Sequence, residues 1–173
     1  MNQATFIIDG YNLMWSILSR RAERESLERS RALLESRLEE FLRASRGARI
    51  FLVYDGARGV FANARREPRF EVHFAMPPRT ADDLVIELCR KLEGSPGIHV
   101  VTSDFKDIAS RVVSLRLRHL TAREFGSLIE SRTGKVARRG ASVADDAKPE
   151  GSGPEEVDDW VRKFGFEDSG EGP

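Results

Sequence analysis

Asp9, Asp55 and Asp104 each follow a short apolar run, in the phrases Ile8-Asp9-Gly10, Tyr54-Asp55-Gly56 and Thr102-Ser103-Asp104. Two more carboxylates, Asp82 and Asp83, follow Thr80 at the start of another apolar pattern. A single aspartate after a strand is the ordinary occupant of a turn or helix cap. Acids in the first turn of a helix are likewise favoured by the macrodipole, so the Asp82-Asp83 pair has its own structural reading. Four or five carboxylates at one sheet edge are a different matter, because they repel unless a cation sits among them. Hard oxygen donors in an open arrangement suit Mg2+ or Mn2+. A cation held this way most often activates water and offsets charge in phosphoryl transfer or phosphodiester hydrolysis. Other chemistries lack support. His73, His99 and His119 show no zinc-ligand spacing, and Cys89 is the only cysteine. There is no Gly-rich phosphate loop, and nothing local supports a Ser-His-Asp triad.

The elements that must position these carboxylates are legible in outline. Thr5–Asp9, Ile50–Asp55 and Ile98–Thr102 read as buried strands. Phe70–Phe74 alternates and reads as a shorter edge strand, with Val112–Leu115 a further one. Residues 22–45 have helical period, with Leu27, Leu34, Leu38 and Phe41 on one stripe and Gly47 as the stop. Thr80 reads as the N-cap of a helix over 81–93 that turns Leu84, Leu88 and Leu92 inward. Further helices are expected near Phe105–Arg111 and from Thr121 to about Ser131. Cys89 reads as a small core residue, and the histidines as strand or surface residues. Strand and helix in alternation predict an α/β sandwich with a largely parallel sheet. Ligands in such folds lie outside the carboxyl ends of the strands, which is where Asp9, Asp55 and Asp104 fall.

Charge sharpens the choice of substrate. The 173 residues carry 28 basic and 28 acidic side chains, and the zero total is misleading. Residues 141–173 hold ten acids against three bases, a net of −7; the remainder holds 25 bases against 18 acids, a net of +7. The acidic stretch is rich in Gly, Pro and Ser and cannot bury enough apolar surface to offset its ordering entropy. The chain therefore reads as a folded body over 1–137 and a flexible, largely disordered acidic tail over 138–173. One short amphipathic helix is expected near 155–166, with Val157, Trp160, Val161 and Phe164 on one face. In the body, Arg111, Arg116, Arg118, Arg138 and Arg139 belong to one basic cluster, and Arg58, Arg65 and Arg66 to another. Both predict contacts to a nucleic-acid backbone. Phe61, Phe70 and Phe74 are candidates to stack on bases, Phe61 foremost. The tail, opposite in sign, could compete with nucleic acid for that surface. No apolar run approaches the roughly 18–20 residues that span a bilayer, so a cytoplasmic chain without a membrane partner is expected.

Four phrases occur in order: Ile8-Asp9-Gly10-Tyr11-Asn12-Leu13, Val53-Tyr54-Asp55-Gly56, Thr80-Ala81-Asp82-Asp83-Leu84-Val85 and Val101-Thr102-Ser103-Asp104-Phe105-Lys106-Asp107-Ile108. Together they resemble the NYN domain, specifically the YacP-like branch of the PIN-like nucleases, over about residues 4–131. The resemblance implies a PIN-like three-layer α/β/α sandwich and a metal-dependent ribonuclease site. It also implies a Mg2+ or Mn2+ cofactor and RNA as substrate, because YacP-like proteins include a ribosome-associated endoribonuclease that cuts messenger RNA. Carried over by position, Asp9, Asp82 or Asp83, and Asp104 match the acidic metal positions. Asn12 matches the polar partner beside the first aspartate, while Asp107 and Asp55 match less closely. The acidic tail is outside the resemblance. Two other readings compete with the nuclease: a non-catalytic RNA- or ribosome-binding module of the same fold, and a receiver domain phosphorylated on Asp55. The second lacks the acidic pair such a domain carries after its first strand.

Overall fold

The computed structural model describes residues 4–22, 26–56, 65–111 and 117–141, without the side chains of 19–22, 107, 109 and 135–141. The run Ala4–Asp9 forms the first strand, β1, with Phe6, Ile7 and Ile8 fully buried. The chain enters helix α1, Gly10–Ala22, with no intervening loop. The residue pattern gave no warning of this helix, because its apolar face (Leu13, Met14, Ile17, Leu18) is short and its start is a strand end. Helix α2 spans Leu27–Ala44 and is capped by Ser26, whose hydroxyl accepts from the Arg29 N–H at 3.3 Å. It starts later than the expected residue 22, and Leu27, as its first residue, stays 46% exposed. The buried stripe is Ser30, Leu34, Leu38, Phe41 and Leu42. Past the cap, Gly47 takes a φ of 85°, a conformation that favours glycine.

The remaining elements are β2 (Ala48–Asp55), β3 (Arg65–Arg66), β4 (Phe70–Ala75), α3 (Ala81–Lys91), β5 (Ile98–Val101), α4 (Phe105–Arg111), β6 (Arg118–Leu120) and α5 (Ala122–Ala141). The six strands form one sheet in the order β3-β4-β2-β1-β5-β6, parallel throughout except for the β3–β4 pair. β4 is therefore not an edge strand, since the two-residue β3 lies outside it. Its alternation has another cause: Glu71 and His73 stay half-buried while Phe70, Val72 and Ala75 are buried. The strand expected at Val112–Leu115 falls outside the described residues. Among the described residues, the strand that follows α4 and pairs with β5 is β6.

Side chains alternate across the sheet, as the two-residue strand period requires. Phe6, Ile8, Ile50, Leu52 and Tyr54 face one core with Leu34, Leu38, Phe41 and Phe125. Ile7, Phe51, Val53, Ile98 and Val100 face a second core with Val85, Ile86 and Cys89. Helices α1, α2 and α5 cover the first face; α3 and α4 cover the second. This is the expected three-layer sandwich. Helix α5 runs ten residues beyond the stop expected near Ser131, carrying regular structure past residue 137. The amphipathic segment near 155–166 lies outside the described residues. Among the described residues, no helix is long and apolar enough to cross a membrane.

Candidate active site

Parallel strands bring their carboxyl ends to one edge, and register decides what stands there. Asp9 lies opposite Val53, and Ile8 lies opposite Val101. Asp55 is thus two residues past Asp9's neighbour on one side, and Asp104 follows β5 on the other. β1 is also where the chain reverses its direction across the sheet. It moves outward through β2 and β4, then crosses back to β5 and β6. A crevice at such a reversal is the usual ligand position in α/β folds.

Asp9 closes β1 and caps α1, its Oδ1 accepting from the Asn12 N–H at 3.0 Å. Gly10 follows because the helix starts hard against β2. A Cβ there would lie 2.4 Å from the buried Tyr54 ring and 2.9 Å from the Val53 carbonyl oxygen. The Asp9 carboxyl is half-buried, and burial above all raises its pKa. The Asn12 N–H pulls it back down, and the charges of Asp82 and then Asp55 push it up again. Asn12 also uses its side chain: its Oδ1 accepts from the Ser103 N–H at 3.1 Å, joining the start of α1 to the loop after β5.

Asp82 and Asp83, adjacent in sequence, have different surroundings. Asp83 completes a capping box with Thr80: its N–H donates to Thr80 Oγ1 at 3.2 Å, and its Oδ2 accepts from the Thr80 N–H at 3.1 Å. Its Oδ1 accepts from Arg111 Nη2 at 2.8 Å. The backbone bond from Thr80, then Arg111, holds its carboxyl below the usual range. Asp82, not Asp83, is the one of the two whose charge reaches Asp9. Asp55, which with Asp107 matches the family positions less closely, belongs with this group. Its Oδ1 accepts from the Ala81 N–H at 2.7 Å, so it also satisfies the first turn of α3. Asp104 stands at the same edge but is exposed, its N–H bonded to Thr102 Oγ1 at 3.1 Å. It is not among the charges that raise Asp9. The Asp107 side chain lies outside the described residues.

The carboxylates of Asp9, Asp55 and Asp82 have the donor chemistry a hard divalent cation takes, and their mutual repulsion is what a cation would relieve. Asp83 has both oxygens committed and does not fit that role. Among the described residues, no three Asp, Glu, His or Cys side chains converge closely enough to hold a metal by themselves.

The basic residues divide similarly. Arg65 is held by Glu39 and Glu67, and Arg111 by Asp83. Both guanidiniums are therefore paired within the protein, which the count of charges did not show. Arg66 on β3 and Arg118 on β6 are exposed. Arg58 and Arg116 lie outside the described residues, as do the side chains of Arg138 and Arg139. Phe70 is buried in the core, and Phe74 stacks on Tyr54 with ring centroids 5.5 Å apart, so neither is a base platform. Phe61 lies outside the described residues. His73, His99 and His119 sit on strands, and burial pushes the Cys89 thiol up to about 11. The sequence reading missed the structural commitment of Asp83, although the Thr-x-x-Asp spacing of a capping box was available to signal it.

Comparison with known proteins agrees with this architecture. A family model described as the YacP-like NYN domain matches residues 6–156. Two crystal structures of Rae1 (YacP) from Bacillus subtilis share the fold. One, of a point mutant, is 23% identical, with 92% of each chain covered and a TM-score of 0.66. The other is 22% identical, with 95% of this chain and 89% of that one covered and a TM-score of 0.67. No curated protein sequence matches the chain. The matched span takes in Asp9 and Asp55 at the strand ends, Asp82 and Asp83 in the first turn of α3 and the loop after β5, and the chain belongs to the YacP-like NYN domain family.

Proposed function

We propose that this protein is a Mg2+- or Mn2+-dependent endoribonuclease that hydrolyses RNA phosphodiester bonds. The observation that carries the reading is the Asp9 carboxyl: half-buried at the centre of the sheet's carboxyl edge, and raised by burial and by Asp82 and Asp55. Such a perturbed carboxylate cluster inside a basic body marks a functional site. Asp9 and Asp82 would hold the cation, with Asp55 beside them. A bound divalent cation supplies charge neutralisation at the phosphate and a water acidic enough to attack it.

The chain's own residues do the rest. The Asn12 N–H fixes the Asp9 carboxylate, and the Asn12 side chain ties that corner to the loop carrying Asp104. Asp55 and the Thr80–Asp83 box hold the first turn of α3 and so place Asp82. The basic body draws in the RNA backbone; Arg66 and Arg118 are exposed members of the expected contacts. Cleavage leaves a 5′-phosphate and a 3′-hydroxyl. The family resemblance extends the reading to messenger RNA on the ribosome, in the cytoplasm.

A second reading, a PIN-like module that binds RNA or the ribosome without cutting, is favoured by one observation. No three metal-binding side chains converge among the described residues. One assay separates the two. Wild type and Asp9→Asn are incubated with RNA in Mg2+, Mn2+ or EDTA. Cleavage by wild type alone, abolished by EDTA, is expected. Equal cleavage by both proteins, or cleavage that survives EDTA, overturns the nuclease reading. Tight RNA binding without any cleavage establishes the module.

A further inference from the structure

Arg111 belongs to the most basic stretch of the chain, yet its guanidinium turns back onto the protein. Nη2 donates to Asp83 Oδ1 at 2.8 Å, bridging the last residue of α4 to the first turn of α3. The bridge is reinforced on its own backbone, since the Arg111 carbonyl oxygen accepts from Arg90 Nη2 at 3.4 Å. The other Asp83 oxygen receives the Thr80 N–H at 3.1 Å. On the opposite side of the same turn, the Ala81 N–H donates to Asp55 Oδ1 at 2.7 Å. The first turn of α3 is thus held from β2 by Asp55 and from α4 by Arg111. Between the two anchors stands Asp82, whose charge reaches Asp9.

We infer that Arg111 is a positioning residue of the candidate active site: acting through Asp83, it fixes the turn that presents Asp82 to Asp9, and it does not grip the RNA backbone. The inference rests on the nuclease reading for its effect on turnover, and on geometry alone for its effect on α3. An exposed ion pair contributes little to global stability, and this one is 48% and 34% exposed at its two side chains. Its value lies in restricting one helical turn. A small displacement of a reacting group is enough to cost one to two orders of magnitude in rate. Lysine would keep the charge without the planar fork, and restores the geometry only in part.

The test uses the full chain carrying Arg111→Ala, Arg111→Lys, Asp83→Asn, or Asp83→Asn with Arg111→Ala. Arg111→Ala is expected to lower kcat about tenfold with KM for RNA within about twofold of wild type, the signature of a lost positioning contact. Asp83→Asn should lose a similar factor, and the double variant no more than either single one, because the two residues act as a unit. Arg111→Lys should recover part of the loss. Amide hydrogen exchange supplies the second readout: Asp82, Asp83 and Leu84 should exchange faster in Arg111→Ala than in wild type, while the β1 amides are unchanged. A raised KM with unchanged kcat, or additive losses in the double variant, would overturn the inference and make Arg111 an RNA contact. Should wild type cleave no RNA, the nuclease reading falls. The exchange of the α3 amides then decides the clamp by itself, and unchanged exchange overturns it.

Discussion

Asn12 and Ser103 are 91 positions apart, and a 3.1 Å hydrogen bond from the Ser103 N–H to Asn12 Oδ1 joins them. The bond links the carboxyl ends of the neighbouring strands β1 and β5, where the chain reverses direction across the sheet. On one side is the turn that caps α1 with Asp9; on the other is the loop that ends in Asp104. Asn12 serves both, its backbone donating to Asp9 and its side chain accepting from Ser103.

Asn12→Ala removes the second of these bonds and leaves the first. A typical intramolecular hydrogen bond is worth about 0.5–1.5 kcal/mol, so stability should fall by that amount. Chemical denaturation measures the fall, and the RNA cleavage rate should drop with it. Asn12→Asp keeps the acceptor and should retain most of the stability.

Asp9→Asn should stabilise the protein while removing activity. The folded-state pKa of Asp9 is raised, so ionising it in the native state costs stability. Its favourable contribution is complete below the unfolded value, near 3.8, and is lost as pH rises through the folded value. At neutral pH the wild type bears that cost and the amide does not. The variant should therefore melt higher at pH 7, by roughly 2–4 °C for each kcal/mol recovered. The two melting curves should converge as pH falls toward 4.

Gly10→Ala tests how closely α1 approaches β2. The added Cβ would lie 2.4 Å from the Tyr54 ring, which is fully buried and has little room to move. Overpacking of this kind costs about 1–3 kcal/mol. Because Gly10 directly follows Asp9, the displacement should lower cleavage more than an equal destabilisation elsewhere. Thermal melting and cleavage assays on the same preparation compare the two effects.

His99 should make the fold sensitive to mild acid. It is buried beside Phe6, ring centroids 5.0 Å apart, and burial lowers its pKa despite the bond between Nδ1 and the Gly97 carbonyl oxygen. A depressed histidine contributes stability that is complete above the unfolded value of 6.5 and is lost as pH falls toward the folded value. His73 is depressed too, so the two act in the same window. His99→Phe keeps an aromatic ring in the slot and should flatten the loss of stability between pH 7 and 5, followed by denaturation at each pH.

Removing residues 142–173 should tighten RNA binding. That segment carries the ten acids that balance the basic body. A chain ending at Ala141 keeps the whole of α5, and its affinity for RNA should rise most at low salt, where screening is weakest. Equal affinity for the two chains would remove the tail from the account of RNA binding.

Local patterns carried much of this protein in the sequence itself. Apolar runs marked β1, β2 and β5, Thr80 and Thr121 marked two helix starts, and four ordered phrases marked the family and the aspartates at the strand ends. These signals depend on neighbours in the chain, so they survive without a fold. What needed the tertiary structure was everything decided between distant segments. The Thr80-x-x-Asp83 spacing hints locally at a capping role for Asp83; only the fold adds Arg111 to it and brings the charge of Asp82 to Asp9. Asp55 was expected at the carboxyl edge, but only the fold shows its charge acting on Asp9 and its carboxylate under the first turn of α3. Arg65 and Arg111 looked like open RNA contacts because a count of charges cannot see Glu39, Glu67 or Asp83 arriving from elsewhere. Hydrogen bonds and ion pairs are short-ranged, so which carboxylates are committed to partners is settled only when the chain brings them together.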